Sequence, residues 1–575
     1  IHYPLGLITT YTQDDAGRTV QVDAPGGKVS KTAYHAAGWV SKSYRPGHTA
    51  GGTLMTKTER DAIGRPIVEY LPSESESTEG VGSVTTAYEY GQVKYRVDSK
   101  GKQETFEYSN EGLQTAHEDF NGNRDETAYL PAQNKIITKH KREGRTNFEE
   151  VTDLFDNRGM LDTSTSDVNG VTDVGFGDDG LLVSAQPPGF SAAFTTTRDK
   201  LYRERGTGGP FGATSVDYTE GASSFGDLTL SRNARGLEQY FSVESSTGDV
   251  FNVQDNEHAG VDLSKILKRN KLGELTENKD AAGLEWKRTP DYASRTVLME
   301  RTDTGDAKWR KVTHAPSGQV TKAETQDLAG AAEFAYNALG QRTYIKDPAG
   351  YSAGKQYDEL GRLKKVSTGG RETTCVYDDG APYWGRKKEV NVAGRGSTQF
   401  RYWDDGLIKE IEDPKGYITK FEHDDYGRLE TIIYPDDAVG AQRRDHFVYD
   451  AYGRPYQKTD RGNRTLTFFY DGRGLVIRKE TNDGGNITKV HYTYDGDGTL
   501  LTEQLEGGGT HAWVYDKRGR VKNDGDSAYT YRPDNQVATK QHVPSDRTFT
   551  LNYLTSGKYK AMLDTVQTPD GDVAF

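Results

Sequence analysis

Cysteine is nearly absent from this sequence, since Cys375 is the single one among 575 residues. A disulfide needs two cysteines, so an intramolecular disulfide framework is excluded, and no Cys/His cluster offers a structural zinc site. Long hydrophobic runs are missing too, because no stretch of 18 apolar residues suggests a membrane-spanning helix. We therefore expect no metal, no cofactor and no membrane insertion.

Positive net charge is also lacking. The chain carries 73 basic and 86 acidic residues, for a formal net charge of −13. Nucleic acids and anionic membranes are bound through a basic footprint, so we expect no nucleic-acid partner. The first residues lack an initiator Met and a signal-peptide pattern, which indicates an excised or processed piece of a longer protein.

Aromatic residues are plentiful. There are 35 Tyr, 19 Phe and 6 Trp, whereas the hydrophobic fraction is only 33%. Disordered chains have few aromatic residues, so this composition predicts a folded protein. Tyrosine combines a large apolar ring with a hydroxyl that needs water or a partner, which suits the half-exposed face of a β-sheet.

A short motif, Tyr-Asp-x-x-Gly, recurs along the chain. Its glycines are 21 residues apart from Gly340 to Gly361 and 26 apart from Gly427 to Gly453, and a second turn lies about midway. Each repeat is therefore predicted to contain two turns separated by short strands. We take the following residues as a structural repeat motif: Tyr357, Asp358, Gly361, Arg362, Tyr449, Asp450, Gly453, Arg454, Tyr470, Asp471, Gly474, Tyr494, Asp495, Gly498, Tyr515, Asp516, Gly519 and Arg520.

Turn chemistry explains the motif. The Asp side chain accepts a backbone hydrogen bond two residues further on, and Gly adopts the positive φ that closes a type I turn with a bulge. Asn535 replaces Gly with the other residue that tolerates this conformation. The flanking segments 416–423 and 464–470 alternate with a period of two and predict strands, and no helix of three turns is expected.

These residues resemble the YD-repeat (Rhs-repeat) family, which includes bacterial Rhs polymorphic toxins, toxin-complex C components and teneurin-like shells. The repeats are regular over 1–185, degenerate over 186–330, where Arg232 and Arg269 stand in the place of Tyr, and most regular over 331–575. The resemblance implies an all-β fold. YD hairpins would form one spiralling antiparallel sheet over 1–575, as a hollow shell or partial barrel.

The resemblance also implies a function. Such a shell would belong to an exported bacterial protein, secreted or at the cell surface, and would encapsulate and help to deliver a C-terminal toxin in interbacterial competition. The toxin and the family's autoprotease motif are absent from this sequence. The expected partners are the toxin cargo or other segments of the same polyprotein, and proteins of a secretion apparatus.

Two other functions remain open. One is a surface adhesin that binds cell-surface glycans by stacking sugars on tryptophan; the candidates are Trp39, Trp286, Trp309, Trp384, Trp403 and Trp513. The other is a polysaccharide-degrading enzyme that uses Tyr, His and Arg on a concave face. His314 and His423 occupy positions where Tyr normally stands, so they are its candidate bases or pH sensors.

Linear motifs of catalysis are weak or missing. Gly175–Gly180 matches G-x-G-x-x-G, but no helix follows, so a repeat turn is predicted there. The acidic turns at Asp495 and Asp497 and at Asp524 and Asp526 do not complete an EF-hand pattern. We expect turn chemistry at these positions, and no linear motif assigns an enzymatic activity to the shell.

Overall fold

A computed structural model describes residues 8–24, 28–47, 53–73, 82–218, 227–244, 249–270, 272–302, 308–379, 385–435, 443–554, 563–568 and 571–574. Within these ranges the only helical segments are two 3₁₀ turns of three residues each, Pro131–Gln133 and Val543–Ser545. The predictions of an all-β fold and of no helix of three turns are confirmed for the described part of the chain.

Short strands, mostly of five to eight residues, follow one another along the chain. The first group is β1 (Thr10–Gln13), β2 (Thr19–Ala24), β3 (Lys28–Tyr34), β4 (Val40–Pro46), β5 (Thr53–Arg60), β6 (Pro66–Tyr70), β7 (Ser83–Glu89), β8 (Gln92–Asp98), β9 (Gln103–Tyr108), β10 (Gln114–Glu118), β11 (Arg124–Leu130), β12 (Lys135–Lys141), β13 (Phe148–Phe155), β14 (Leu161–Ser166), β15 (Gly170–Phe176), β16 (Leu182–Gln186), β17 (Phe194–Arg198), β18 (Glu204–Gly208), β19 (Thr214–Tyr218), β20 (Leu228–Arg232), β21 (Glu238–Val243), β22 (Val250–Asp255) and β23 (Ser264–Arg269).

The second group is β24 (Leu275–Asp280), β25 (Glu285–Asp291), β26 (Thr296–Arg301), β27 (Trp309–His314), β28 (Val320–Thr325), β29 (Ala332–Tyr336), β30 (Arg342–Lys346), β31 (Ser352–Tyr357), β32 (Leu363–Thr368), β33 (Arg371–Asp378), β34 (Arg386–Val392), β35 (Gly396–Tyr402), β36 (Ile408–Glu412), β37 (Ile418–His423), β38 (Leu429–Ile433), β39 (Arg444–Tyr449), β40 (Pro455–Thr459), β41 (Thr465–Tyr470), β42 (Val476–Asp483), β43 (Asn486–Tyr494), β44 (Leu500–Leu505), β45 (Thr510–Ala512), β46 (Val514–Tyr515), β47 (Val521–Asn523), β48 (Ser527–Tyr531), β49 (Val537–His542), β50 (Arg547–Tyr553), β51 (Leu563–Thr568) and β52 (Gly571–Ala574).

Strand pairing is sequential and antiparallel throughout. β1 to β45 form one 45-stranded sheet, and β46 to β52 form a 7-stranded sheet. The break between the sheets falls at Trp513, whose backbone N–H still donates to Leu501 O at 2.8 Å. The predicted chain of YD hairpins therefore builds one long antiparallel ribbon of sheet.

The sheet is a single layer without a conventional apolar core. The accessible surface is 32046 Å², whereas a compact protein of 63.7 kDa would expose about 20000 Å². Few apolar side chains are buried among the described residues, and the most completely enclosed side chain is the carboxylate of Asp255. A wall with two wet faces explains why tyrosine dominates the aromatic composition.

The ribbon coils upon itself. Hydrogen bonds connect residues that are 260 to 284 positions apart in the sequence, as from Arg145 to Asp405 and from Arg142 to Tyr426. We call β1–β23 the first coil and β24–β52 the second coil. The sequence separation of these hydrogen-bonded residues stays between 260 and 284 along the chain. The ribbon therefore follows the predicted spiral.

Successive turns alternate between the two edges of the ribbon. The YD edge carries the Tyr-Asp-x-x-Gly turns, such as 358–361 and 450–453. The opposite edge carries the midway turns, such as 98–101 and 119–122. The YD edge of the second coil lies against the opposite edge of the first, and we call this contact zone the seam.

Candidate functional site: the repeat turns and the seam

Many repeat turns are closed by one Asp side chain. In turn 450–453, the backbone N–H of Gly453 donates to Asp450 O at 3.1 Å, and Gly453 has a φ of 74°. Asp450 Oδ1 accepts the N–H groups of Tyr452 and Arg454, both at 2.9 Å, and Asp450 Oδ2 accepts Arg454 Nε at 2.8 Å. The strand register shifts at Tyr449, so the predicted type I turn with a bulge is present.

Arginine connects each repeat to the next one. The Arg454 guanidinium lies 4.4 Å from the centre of the Tyr470 ring, and Tyr470 Oη donates to Pro455 O at 2.5 Å. The Asp of one turn therefore pairs with an Arg, and this Arg stacks on the Tyr of the next repeat. The hydroxyl of that Tyr donates to a backbone carbonyl group next to the first turn. Burial opposes the negative charge of Asp450, but the backbone N–H and the guanidinium of Arg454 hold the pKa of that carboxyl below its usual value.

The same arrangement recurs at two other turns of the motif. Arg362 stacks on Tyr377 at 4.5 Å and pairs with Asp358 at 2.6 Å. Arg520 stacks on Tyr531 at 4.4 Å and pairs with Asp516 at 2.6 Å. The hydroxyls of the motif tyrosines donate to backbone carbonyl groups: Tyr357 to Arg342, Tyr449 to Leu429, Tyr470 to Pro455, Tyr494 to Val476 and Tyr515 to Leu500. The glycines have positive φ at Gly361, Gly453, Gly474, Gly498 and Gly519, as does Asn535.

One assignment in the degenerate stretch is wrong. Arg232 was expected in the place of a repeat Tyr, but it precedes a turn on the opposite edge. Tyr218 takes the Tyr position of that repeat, and Arg203 stacks on its ring at 4.5 Å. The error arises because turns of both edges share the sequence pattern Asx-x-x-Gly.

The seam is held by polar contacts between turns. Lys100 Nζ of the first coil lies 2.6 Å from Glu359 Oε1 of the second. Ser191 N donates to Gly472 O at 2.5 Å, and Arg235 Nη2 donates to Asp495 Oδ2 at 2.8 Å. Most of the cationic side chains come from the first coil, and they meet carboxylates and carbonyl groups on the YD edge of the second.

Two ion pairs of the seam are deeply buried. Arg145 Nε lies 2.9 Å from Asp405 Oδ2, and their side chains are 13% and 0% exposed. Arg518 Nε lies 2.6 Å from Asp255 Oδ2, with exposed fractions of 11% and 0%. Their burial makes these pairs more sensitive to the loss of one partner than surface pairs are.

The two candidate histidines occupy the register position of the repeat tyrosine. His314 pairs with Val320 and His423 with Leu429, each across a bulge, as Tyr449 pairs with Pro455. His423 lies next to the seam, where its backbone O accepts Arg145 Nη1 at 3.0 Å. Burial and the nearby Arg145 guanidinium lower the pKa of His423.

The remaining sequence candidates lie mostly in turns. Segment 175–180 ends in a turn with Gly180 at a φ of 77° and is followed by β16, so the predicted repeat turn is confirmed and no dinucleotide loop is formed. Asp495 and Asp497 both pair with Arg235 across the seam, at 2.8 and 3.1 Å.

The tryptophans fall into different environments. Trp403 lies in the seam, where the Arg145 guanidinium is 5.6 Å from its ring centre. Trp39 and Trp513 each stand beside a histidine, with ring centres 6.2 Å and 4.3 Å apart. Trp384 lies outside the described residues.

A search of the described ranges finds no cluster of three or more His, Cys, Asp or Glu side chains that could hold a metal ion. In the same ranges, no helix is long and apolar enough to cross a membrane.

Sequence reasoning missed the seam and the role of the repeat arginine. Arg145 and Asp255 lie in irregular opposite-edge turns without a recurring pattern, so nothing in the sequence pairs them with residues more than 250 positions away. The position of Arg after Gly does recur, and that regular spacing was the available signal for its contact with the next Tyr.

Comparison with known proteins agrees with this geometry. Residues 402–439 match the family model described as RHS Repeat. Together with the repeat turns and the all-β spiral, this match supports the similarity of the chain to the YD/Rhs-repeat family.

The relatives extend well beyond this chain. Over 208 residues it is 27% identical to the tRNA3(Ser)-specific nuclease WapA of Bacillus spizizenii, a match that covers 36% of this chain and 7% of that protein. A crystal structure of TcdB2-TccC3 has a TM-score of 0.62 at 12% identity, covering 99% of this chain and 37% of that one. A Tc holotoxin pore of Photorhabdus luminescens has a TM-score of 0.57 at 13% identity, covering 98% and 32%. At these identities the two structures establish a shared shell fold.

Proposed function

We propose that this chain is a wall segment of an Rhs-repeat shell that encloses a toxic polypeptide cargo. The observation that carries the proposal is the seam, which joins successive coils of a single-layer sheet through contacts such as Arg145–Asp405. We infer that a ribbon that coils and adheres to itself in this way encloses an inner space. A compact catalytic domain would not expose so much surface for its mass.

The proposed mechanism is steric. Turns, not the hydrogen-bonding edges of strands, meet at the seam, so the wall between the coils offers no unpaired strand to a partly folded cargo. The cargo would be held away from the producing cell until its delivery. We also propose that 1–575 acts as a single domain, and that the Tyr, Asp, Gly and Arg of each repeat form its structural motif.

The relatives suggest the type of cargo. WapA is named as a nuclease, and one solved neighbour is a Tc holotoxin pore, of which this chain matches about a third. We propose that the cargo is an enzyme-type toxin from the same polyprotein. The setting would be a bacterial protein that is secreted or at the cell surface, takes part in interbacterial competition, and meets proteins of a secretion apparatus.

Protease protection tests this proposal. The full gene product would be treated with a non-specific protease, and survival of the segment downstream of Phe575 would be followed by mass spectrometry. The proposal predicts that this segment survives in the intact protein and is digested when expressed alone. Equal digestion in both samples would overturn encapsulation.

A matched pair of variants sharpens the test. Arg145→Ala breaks a buried contact of the seam, whereas Arg124→Ala breaks a more exposed contact between β11 and β9 within one coil. Only the first variant is expected to make the downstream segment digestible. Protection that is identical in the two variants would show that the seam does not close the shell.

A further inference from the structure

In and next to turn 35–38, three positions depart from the repeat motif. His35 stands where the repeat has Asp, and Trp39 stands where it has Arg. Arg60, directly before Asp61, takes the position of the next repeat Tyr. The three side chains that normally pack together between two neighbouring repeats are therefore all replaced in the same place.

The adjacent repeat shows what this replacement removes. There Arg65 lies 2.7 Å from Asp61 and 4.4 Å from the centre of the Tyr88 ring, and Tyr88 Oη donates to Pro66 O at 2.9 Å. These side chains occupy the space between the two turns.

At turn 35–38 the backbone geometry is kept. The N–H of Ala37 donates to His35 Nδ1 at 3.2 Å, as it would to an Asp carboxylate, and Gly38 has a φ of 91°. In a regular repeat, the Arg after Gly stacks on the next Tyr. Here Trp39 and Arg60 take these two positions, and they do not stack on each other. Arg60 Nη1 donates to Gly64 O at 2.8 Å.

A cavity of about 490 Å³ lies where the repeat stack is missing. The rings of His35 and Trp39 line it and are nearly parallel, at 12°. Trp39 is fixed against the backbone of Gly64, because a Cβ at that glycine would lie only 2.6 Å from Trp39 Cε2. His35 and Val40 are exposed, so the cavity opens to solvent on the YD edge of the first coil.

Polar side chains line another part of the cavity. Lys57 Nζ lies 2.6 Å from Glu59 Oε1, and Tyr70 Oη donates to the same carboxylate oxygen at 3.2 Å. An ammonium group and a carboxylate therefore stand beside an aromatic surface. Lys42, Arg60 and Asp61 also line the cavity, with Asp61 paired to Arg65 and Arg60 donating to Gly64 O. Cationic and anionic groups therefore both line the site, which suits a neutral ligand with several hydroxyl groups.

We propose that this cavity binds one pyranose ring of a neutral, β-linked oligosaccharide with the glucose configuration. Such a ring has equatorial hydroxyls, so its C–H face can lie on the indole of Trp39 while Lys57 donates to hydroxyls and Glu59 accepts from them. The site lies on the YD edge of the first coil, which is not the edge that forms the seam, so the proposal is independent of cargo enclosure. The site would attach the shell to a glycan surface.

Calorimetric titration with cellotriose and with chitotriose tests the proposal, and saturation-transfer NMR on the same samples identifies the sugar protons in contact. At least one of the two sugars is expected to bind. Trp39→Ala should weaken binding at least tenfold, whereas Trp39→Phe, which keeps an aromatic face, should weaken it by only a few fold. Trp513→Ala is the matched control, since Trp513 also stands beside a histidine, and it should leave binding unchanged.

A second variant tests whether weaker binding results from loss of the site and not from misfolding. Glu59→Gln removes the carboxylate without changing the size of the side chain and should weaken binding at unchanged circular dichroism. Failure of both sugars to bind the wild-type chain would overturn the proposal. So would equal binding by the Trp39→Ala variant, or saturation transfer to cyclohexanol without any to the sugars, which would indicate an unspecific apolar cavity.

Discussion

Arg145 and Asp405 are 260 residues apart in the sequence, yet their side chains meet at 2.9 Å in the buried centre of the seam. Asp405 has no exposed side-chain surface. Arg145 also donates to His423 O and lies over the ring of Trp403. One arginine of the first coil thus contacts residues at two neighbouring turns of the second, so we expect the packing of the coils to depend on it.

Replacing Arg145 should destabilise the protein strongly. Arg145→Ala leaves the Asp405 carboxylate buried without its charge partner, and breaking a buried pair in this way costs about 3–5 kcal/mol. Denaturant titration followed by tyrosine fluorescence would measure the loss. Arg124→Ala, which removes an exposed pair with Glu107, should cost at most about 1 kcal/mol. Equal costs for the two variants would contradict the role of the seam.

The repeat tyrosine hydroxyl should contribute measurably to stability. Tyr449→Phe removes the 2.7 Å hydrogen bond to Leu429 O but keeps the ring on which Arg428 stacks. The expected cost is about 1 kcal/mol. Tyr351→Phe is the control, since the Tyr351 side chain is 78% exposed and its loss should be negligible. Chemical denaturation of the two variants in parallel would separate them.

A turn glycine should not tolerate a β-branched side chain. Gly361→Val places a β-branched residue at a φ of 77°, and its Cβ would lie 2.7 Å from Leu339 Cδ1. We expect a loss on the order of 1–2 kcal/mol from the disfavoured backbone alone. Gly354→Ala, at a strand position with open space around it, is the control. An unchanged melting midpoint for Gly361→Val would refute the turn assignment, although repeat arrays can spread such losses over partial transitions.

The seam should weaken in mild acid. Burial and Arg145 lower the pKa of His423, and Arg142 adds to this effect, whereas Asp405 and Asp424 oppose it. The unfolded chain therefore binds a proton at this residue more readily than the folded chain, so stability falls as pH drops below about 6.5. His423→Phe should flatten the pH dependence of the melting midpoint between about pH 6.5 and 5. An identical slope in the wild-type and His423→Phe proteins would exclude His423 as the titrating group.

Much of the fold was predictable because residues within each repeat turn determine its conformation. The Asp and Gly of turn 450–453 determine where the chain reverses, and the period-two segments between turns can only form strands. Each strand pairs with the next one, so knowledge of the turns was sufficient to give the topology. Where Arg232 misled the interpretation, the local pattern was the same on both edges of the ribbon.

The seam could not be predicted in this way. Contacts such as Arg518–Asp255 depend on the number of strands in one full coil, which follows from the twist accumulated over many strands and not from any one residue. The cavity at Trp39 was more predictable than the seam but less predictable than the turns. Aligning Tyr34-His35-Ala36-Ala37-Gly38-Trp39 with the repeat would have shown the changed residues, but only the packing shows that they leave space.

Electron cryomicroscopy of the purified chain, alone and within its full gene product, is the most direct test of the central claim. We predict a coiled wall one sheet thick around a central space, with Arg145 against Asp405 at the seam, and density within that space only when the downstream segment is present. A compact body without an inner space, or an extended ribbon whose coils do not touch, would contradict the account.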